Sequence, residues 1–354
     1  MNQMLSPAAT LSNHPLYSSS QIPRYITQTE ANQLATFSQR AFFHIPVPAS
    51  FSLPRAICSY GFYILAPNHW NPITQTFTRP FRFAHNRTLV IQLTQKSQTT
   101  TPRLCVKTSQ PATPLEIIHI KQALRRMLRL NEDFTRFHSL HPLAARKHFG
   151  RLLRSPSLFE DIIKTITTCN VTWPNTIRMN NLLVQKIGRG DFPSPKQLAA
   201  VTESELKHLC KVGYRAKRII KLARCIVNGS LNLSELDSPT LTTDQLYPKL
   251  LAIHGIGPYA ASNLCQLLAH YDRIPIDSET HRHFCKHHNL KRPTTHKSIN
   301  RLDKKIRKHY TPYAPYQFLA YWFDLWQDYE DHLDKPAHDW QPHELDAFTA
   351  SNLN

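Results

Sequence analysis

The chain has 354 residues and is 41% hydrophobic, enough for two or three domains with sizeable cores, which excludes a wholly disordered protein. Lys and Arg outnumber Asp and Glu by 43 to 24, and the resulting +19 charge with a pI near 9.8 points to a polyanionic partner. No run of about 18 apolar residues suggests a membrane span, and the seven scattered cysteines, odd in number and without a C-x-x-C pair, support neither a disulfide framework nor a zinc ribbon.

In chain order, residues 1–35 are rich in Ser, Asn, Gln and Thr without periodicity and read as a mobile tail. They lack the apolar segment of a secretory leader and the arginines of a transit peptide, so a cytoplasmic (nucleoid-associated) or nuclear location is expected. From 36 to 112 short β-like runs, FHIPV, GFYILA, FTRPFRF, TLVIQLT and RLCVKT, alternate with Pro and Asn turns, with a helical LPRAICSY after the first. This predicts a small antiparallel sheet plus helix. From 113 to 335 the pattern is helical, and 336–354 reads as a C-terminal tail. LEIIHIKQALRRMLRL has helical apolar spacing, Ser155-Pro156 fits a helix start, Thr202 with Glu205 makes a capping box, and GYRAKRIIKLARCIV is amphipathic with a basic outer face. Helices over Leu241–Leu251 and Tyr259–His270 flank Gly255-Ile256-Gly257, and PYAPYQFLAYWFDLWQDYEDHL supplies an aromatic helix near the end.

The two glycines are conspicuous because the chain has only 8. Glycine permits a tight turn whose N–H groups point outward at the next helix start, and such a start binds a phosphate without reading sequence. Ile256 between them would plug into the core. A simple C-cap needs only one glycine. Twenty residues on, Asp277 in Ile-Pro-Ile-Asp precedes SETHRHFCKH, where it can cap a helix and be held as a rigid, ionised carboxylate.

Together, LLAIHGIGPYAASNLCQLL and IPIDSETHR resemble the helix-hairpin-helix DNA glycosylases, the HhH-GPD superfamily, and GRLLRSPSLFEDIIKTITTCN with VGYRAKRIIKLARCI is similar to its 8-oxoguanine and 3-methyladenine branch. The resemblance spans about 114–331 and implies a mostly α fold: a TATA-binding-protein-like α+β domain followed by a helical glycosylase domain. It implies that Gly255, Ile256, Gly257 and Tyr259 grip DNA, that Asp277 is catalytic and that Arg282 is a basic contact. Tyr214 would be the wedge filling the gap left by a flipped nucleotide, with Arg215 and Asn170 on the orphaned base. Gln317, Phe318 and Trp322 would line the base pocket, ahead of Tyr321. Bifunctional relatives carry a Schiff-base lysine where this chain has Tyr259, which implies a monofunctional enzyme without lyase activity. Glu279 stands where many members have histidine.

The same resemblance implies a potassium or sodium ion on the backbone carbonyls of Leu251, Ile253 and Ile256, and no iron-sulfur cluster, since only Cys285 follows Asp277. His281, His283, Cys285, His287 and His288 do not read as converging on one helical face, so this run is expected to be a solvated basic surface and not a zinc site. The expected partner is damaged double-stranded DNA, bound by a monomer. A non-catalytic helix-hairpin-helix DNA-binding module is the alternative, because a phosphate grip does not require Asp277 to act; an RNA-binding protein rests on charge alone.

Overall fold

The computed structural model describes residues 40–84, 87–96, 102–341 and 344. The expected N-terminal tail and most of the C-terminal one lie outside the described residues. Five antiparallel strands, β1 (Arg40–Pro46), β2 (His69–Asn71), β3 (Thr76–Arg82), β4 (Thr88–Lys96) and β5 (Arg103–Ala112), form one sheet in the order β1-β5-β4-β3-β2. Strict alternation explains its two faces. Leu89, Ile91 and Leu93 of β4 and Phe77, Arg79 and Phe81 of β3 point inward, while the residues alternating with them are more exposed. The inner face packs against the helical remainder of the chain, beginning with helix Pro114–Met127, which starts at a Thr113–Glu116 capping box and buries Ile120, Leu124 and Met127. The fold class is therefore the one the sequence predicts: an antiparallel sheet followed by a predominantly helical domain.

Two local expectations shift. GFYILA is not a strand but a 3-10 turn over Gly61–Ile64, and the strand on that edge is His69–Asn71. A short apolar run cannot by itself distinguish a strand from a buried turn; here the turn buries Phe62 and Tyr63 and brings Gly61 against the indole of Trp173. The helix Leu158–Thr168 begins two residues later than Ser155-Pro156 suggests, because Ser157 accepts the Glu160 N–H, while the Ser155 N–H donates to Asp161.

The sheet and the helices are joined by a buried ion cluster. Arg79 of β3 makes a bidentate pair with Glu160 at 3.0 and 2.6 Å, and Lys164 approaches the same carboxylate at 2.8 Å. All three side chains are almost fully buried. Burial pushes the Glu160 carboxyl up, but the Arg79 and Lys164 cations more than offset this and pull it down to about 2. No helix among the described residues is long and apolar enough to cross a membrane.

Candidate active site and nucleic-acid interface

Helices Thr243–Leu251 and Pro258–Leu267 form the predicted hairpin. Gly255 adopts φ +88°, a region that penalises any side chain, and an added Cβ would also strike Arg218 at 2.5 Å. Gly257 differs. Its φ of −95° is open to other residues, and a Cβ there would meet nothing within 4 Å. It is exposed and caps Pro258–Leu267 without any side-chain bond; Pro258 carries no N–H, so the donors this helix start offers are those of Gly257 and of the residues after Pro258. Ile256 is 5% exposed and anchors the turn in the core. The Ile253 carbonyl already accepts the Ile256 N–H at 3.0 Å, which still leaves that oxygen a second lone pair.

Basic side chains surround this turn. Slight burial and then Lys221, Lys217 and Arg218 hold the His254 imidazole below its ordinary value. Arg215 and Arg218 stack over the half-exposed ring of Tyr214 at 4.6 and 4.8 Å. Asn170 is exposed and sits at φ +50° beside it, since Arg215 donates to the Ile166, Cys169 and Asn170 carbonyls. Arg215 therefore differs from expectation: it is 6% exposed and its guanidinium holds the Cys169–Asn170 turn from below.

Asp277 occupies the N-cap of helix Ser278–His287, as its sequence context suggests. Its Oδ1 accepts from the Thr280 N–H at 2.8 Å and from the Thr280 Oγ1 at 2.9 Å, and Thr280 Oγ1 lies 2.9 Å from the Tyr321 hydroxyl. This fixes one carboxylate oxygen and leaves the other unengaged. Asp277 lines a cavity of about 410 Å³ whose wall is strongly aromatic, including Tyr60, Tyr63, Trp173, Tyr259, Tyr321 and Trp322. Burial first, and the Asp277 carboxylate second, raise the Tyr259 phenol well above its ordinary value, so at neutral pH it is an uncharged hydroxyl. The same two causes act on Tyr321. Among the described residues that line the cavity there is no lysine. Two donors in the wall, Tyr63 Oη and Trp173 Nε1, are buried without a hydrogen-bond partner.

The remaining predicted residues are placed differently. Trp322 lines the cavity, stacked on Phe318 at 5.8 Å and bonded through Nε1 to the Ser59 carbonyl at 2.8 Å. Phe318 is fully buried behind it and does not reach the wall, and neither does Gln317. Both stand four residues before Tyr321 and Trp322 on the same helix face but one turn nearer the helix start, where Phe318 packs against the Trp322 ring instead of lining the cavity. Arg282 is not a surface contact. It is 3% exposed and donates to Glu279 at 2.6 to 3.0 Å and to Asp328 at 3.1 Å. Glu279, which also accepts from Tyr329 at 2.8 Å, supplies the anion that draws this arginine inward. The wall residues Tyr60 and Trp173 come from segments over a hundred residues apart, and no sequence signal pointed to them.

The histidine run also departs from expectation. His283 and His287, four residues apart, share one helical face and converge on Asp328 of helix Gln317–Leu333. Burial opposes the charged form of Asp328, but the basic side chains His283, Lys286, Arg282 and His287 outweigh it and hold the carboxyl far below its usual range.

Comparison with known proteins agrees with this geometry. Over 80 residues the chain is 34% identical to a Bacillus subtilis (strain 168) protein provisionally named DNA-3-methyladenine glycosylase, covering 23% of this chain and 27% of that one. Over 144 residues it is 29% identical to the N-glycosylase/DNA lyase of Saccharomyces cerevisiae, covering 35% and 38%. The chain thus spans well under half the length of these curated relatives. Among solved structures, the 3-methyladenine DNA glycosylase of Archaeoglobus fulgidus superposes with a TM-score of 0.60 at 16% identity, covering 83% of this chain and 99% of that one. An 8-oxoguanine glycosylase/lyase of Clostridium acetobutylicum gives 0.58 at 17%, covering 80% and 97%. Both show a shared fold. Residues 163–308, which carry the hairpin and Asp277, match the model of the HhH-GPD superfamily of base excision DNA repair proteins.

Proposed function

We propose that the protein is a monofunctional DNA glycosylase that flips a damaged purine out of duplex DNA and hydrolyses its N-glycosidic bond. One observation carries the reading: a half-engaged carboxylate, Asp277, stands in the wall of an aromatic cavity beside a hairpin with bare N–H groups. As the base departs, the sugar acquires oxocarbenium character, and an ionised Asp277 stabilises that charge and orients water on it. Thr280 holds Oδ1, so Oδ2 is the oxygen left for the sugar. Aromatic faces favour an alkylated, cationic purine over a neutral oxidised one. Tyr214 would fill the vacated stack, with Asn170 beside the orphaned base. The Leu251, Ile253 and Ile256 carbonyls would hold a monovalent cation at the hairpin, supplying positive charge near the phosphate.

A panel of duplexes, each with one lesion and scored by alkali cleavage, tests the reading. Release is expected first from N-alkylated purines; binding to every duplex without release from any would favour the non-catalytic module instead. Borohydride added during turnover is expected to trap no covalent DNA adduct, because Tyr259 supplies no amine. A high-yield adduct would show that another residue acts as nucleophile and that the enzyme is bifunctional.

Gly257 separates DNA grip from folding. Gly257→Ala meets no protein atom, so the thermal midpoint should be unchanged, yet its methyl group would occupy the space over the helix start. Duplex affinity is expected to fall about tenfold, since a lost charge-assisted contact is worth about 1.5 kcal/mol or more. Unaltered affinity at matched salt would place the phosphate elsewhere.

A further inference from the structure

We infer that His283, His287 and Asp328 form a binding site for a zinc-class divalent cation that clips the helix capped by Asp277 to the C-terminal aromatic helix. The ligating atoms of these three side chains all lie within 4.8 Å of one another. His287 Nε2 stands 3.1 Å from Asp328 Oδ1, and His283 Nδ1 stands 3.5 Å from Asp328 Oδ2. Zinc bonds of about 2.0 to 2.1 Å in tetrahedral geometry put neighbouring ligand atoms roughly 3.3 Å apart, so each histidine already stands near that spacing from one oxygen of Asp328, and small side-chain rotations would bring all three atoms onto one ion. His283 is 3% exposed and its Nδ1 is buried without a hydrogen-bond partner, an arrangement that costs free energy unless something fills it. Two imidazoles and one carboxylate suit zinc and its neighbours rather than magnesium or calcium, which prefer oxygen ligands.

The surroundings supply the remaining parts. Arg282 bonds Asp328 Oδ2 at 3.1 Å and is itself fixed by Glu279, so it would orient the carboxylate as an outer partner while Oδ1 takes the metal. His287 and Lys286 are about half exposed, which gives the ion an entry path and leaves a fourth position to water. Lys286 is the competitor. Its ammonium lies 2.8 Å from Asp328 Oδ1 and must swing into solvent when the cation arrives. Because Glu279 lines the cavity and bonds Arg282, the site would also stiffen that wall.

The test uses the full chain, stripped with a chelator and titrated with Zn²⁺ by calorimetry, and with Co²⁺ by visible absorption as a report of tetrahedral geometry. One ion per chain is expected. His287→Ala, at a half-exposed position where folding should survive, is expected to weaken binding by about 100-fold, and His283→Gln to do the same. Lys286→Met removes the competing charge and should tighten binding severalfold, which a merely structural ion cluster would not show. His281→Ala, whose partner is Asp303, should change nothing. The inference is overturned if the wild type takes up no Zn²⁺, if His287→Ala binds as tightly as wild type, or if Lys286→Met fails to tighten binding.

Discussion

Replacing Asp277 with asparagine is expected to lower the single-turnover rate of base release by about 10²- to 10⁴-fold, the usual cost of removing a group that stabilises charge developing in the transition state. The fold should not suffer. The asparagine carbonyl can still accept both Thr280 bonds, and asparagine is as good an N-cap as aspartate. Duplex affinity, which on this reading comes from the hairpin and the cations around it, should stay within a few-fold. This separation is what makes the variant informative, because a residue needed only to cap its helix would give an active Asp277→Asn enzyme. A rate within tenfold of wild type would remove Asp277 from the chemistry. Thr280→Val should produce a weaker loss of the same kind, since it removes one of the two bonds that hold Oδ1 and breaks the contact with Tyr321.

The largest effect on stability is expected at Glu160. Glu160→Gln leaves Arg79 and Lys164 buried without their paired carboxylate, and breaking a buried pair from one side costs about 3 to 5 kcal/mol. Equilibrium unfolding in urea measures it directly, as a lower midpoint at unchanged slope. Because the pair joins β3 to helix Leu158–Thr168, loss of the sheet–helix junction should accompany the loss of stability. A pH dependence follows from the same contact. The folded-state pKa of Glu160, about 2, lies below the ordinary carboxylate value, so its stabilisation is fully present above roughly pH 4.5 and is lost as pH falls through about 2. Wild type should therefore lose stability across that acid window, and Glu160→Gln should lose less of it. A cost under 1 kcal/mol at neutral pH would show that the cluster contributes little to the fold.

Much of this architecture was legible because it is written locally. Apolar alternation in TLVIQLT, the Thr202–Glu205 box and two glycines between apolar helices each specify their own backbone, and the structure forms them where they stand. Asp277 was legible for the same reason, being an N-cap with a helix behind it. What stayed hidden depends on contacts between distant segments. Arg282 looks like any exposed basic residue until Glu279 and Asp328 draw it inside. The cavity wall draws on Tyr60, Trp173 and Tyr321, and their convergence is a product of packing rather than of spacing. The His283–His287 face was readable in principle, since the two are four residues apart; Asp328, which completes it, was not.

The most direct measurement compares the affinity of the protein for two duplexes, one with a neutral tetrahydrofuran abasic site and one with a cationic pyrrolidine in its place. The pyrrolidine carries the positive charge that the sugar acquires as the base departs. Wild type should bind the cationic duplex about tenfold or more tightly than the neutral one, and Asp277→Asn should bind both alike. Equal affinity in the wild type, or a preference that survives Asp277→Asn, would mean that this carboxylate does not face the reacting sugar.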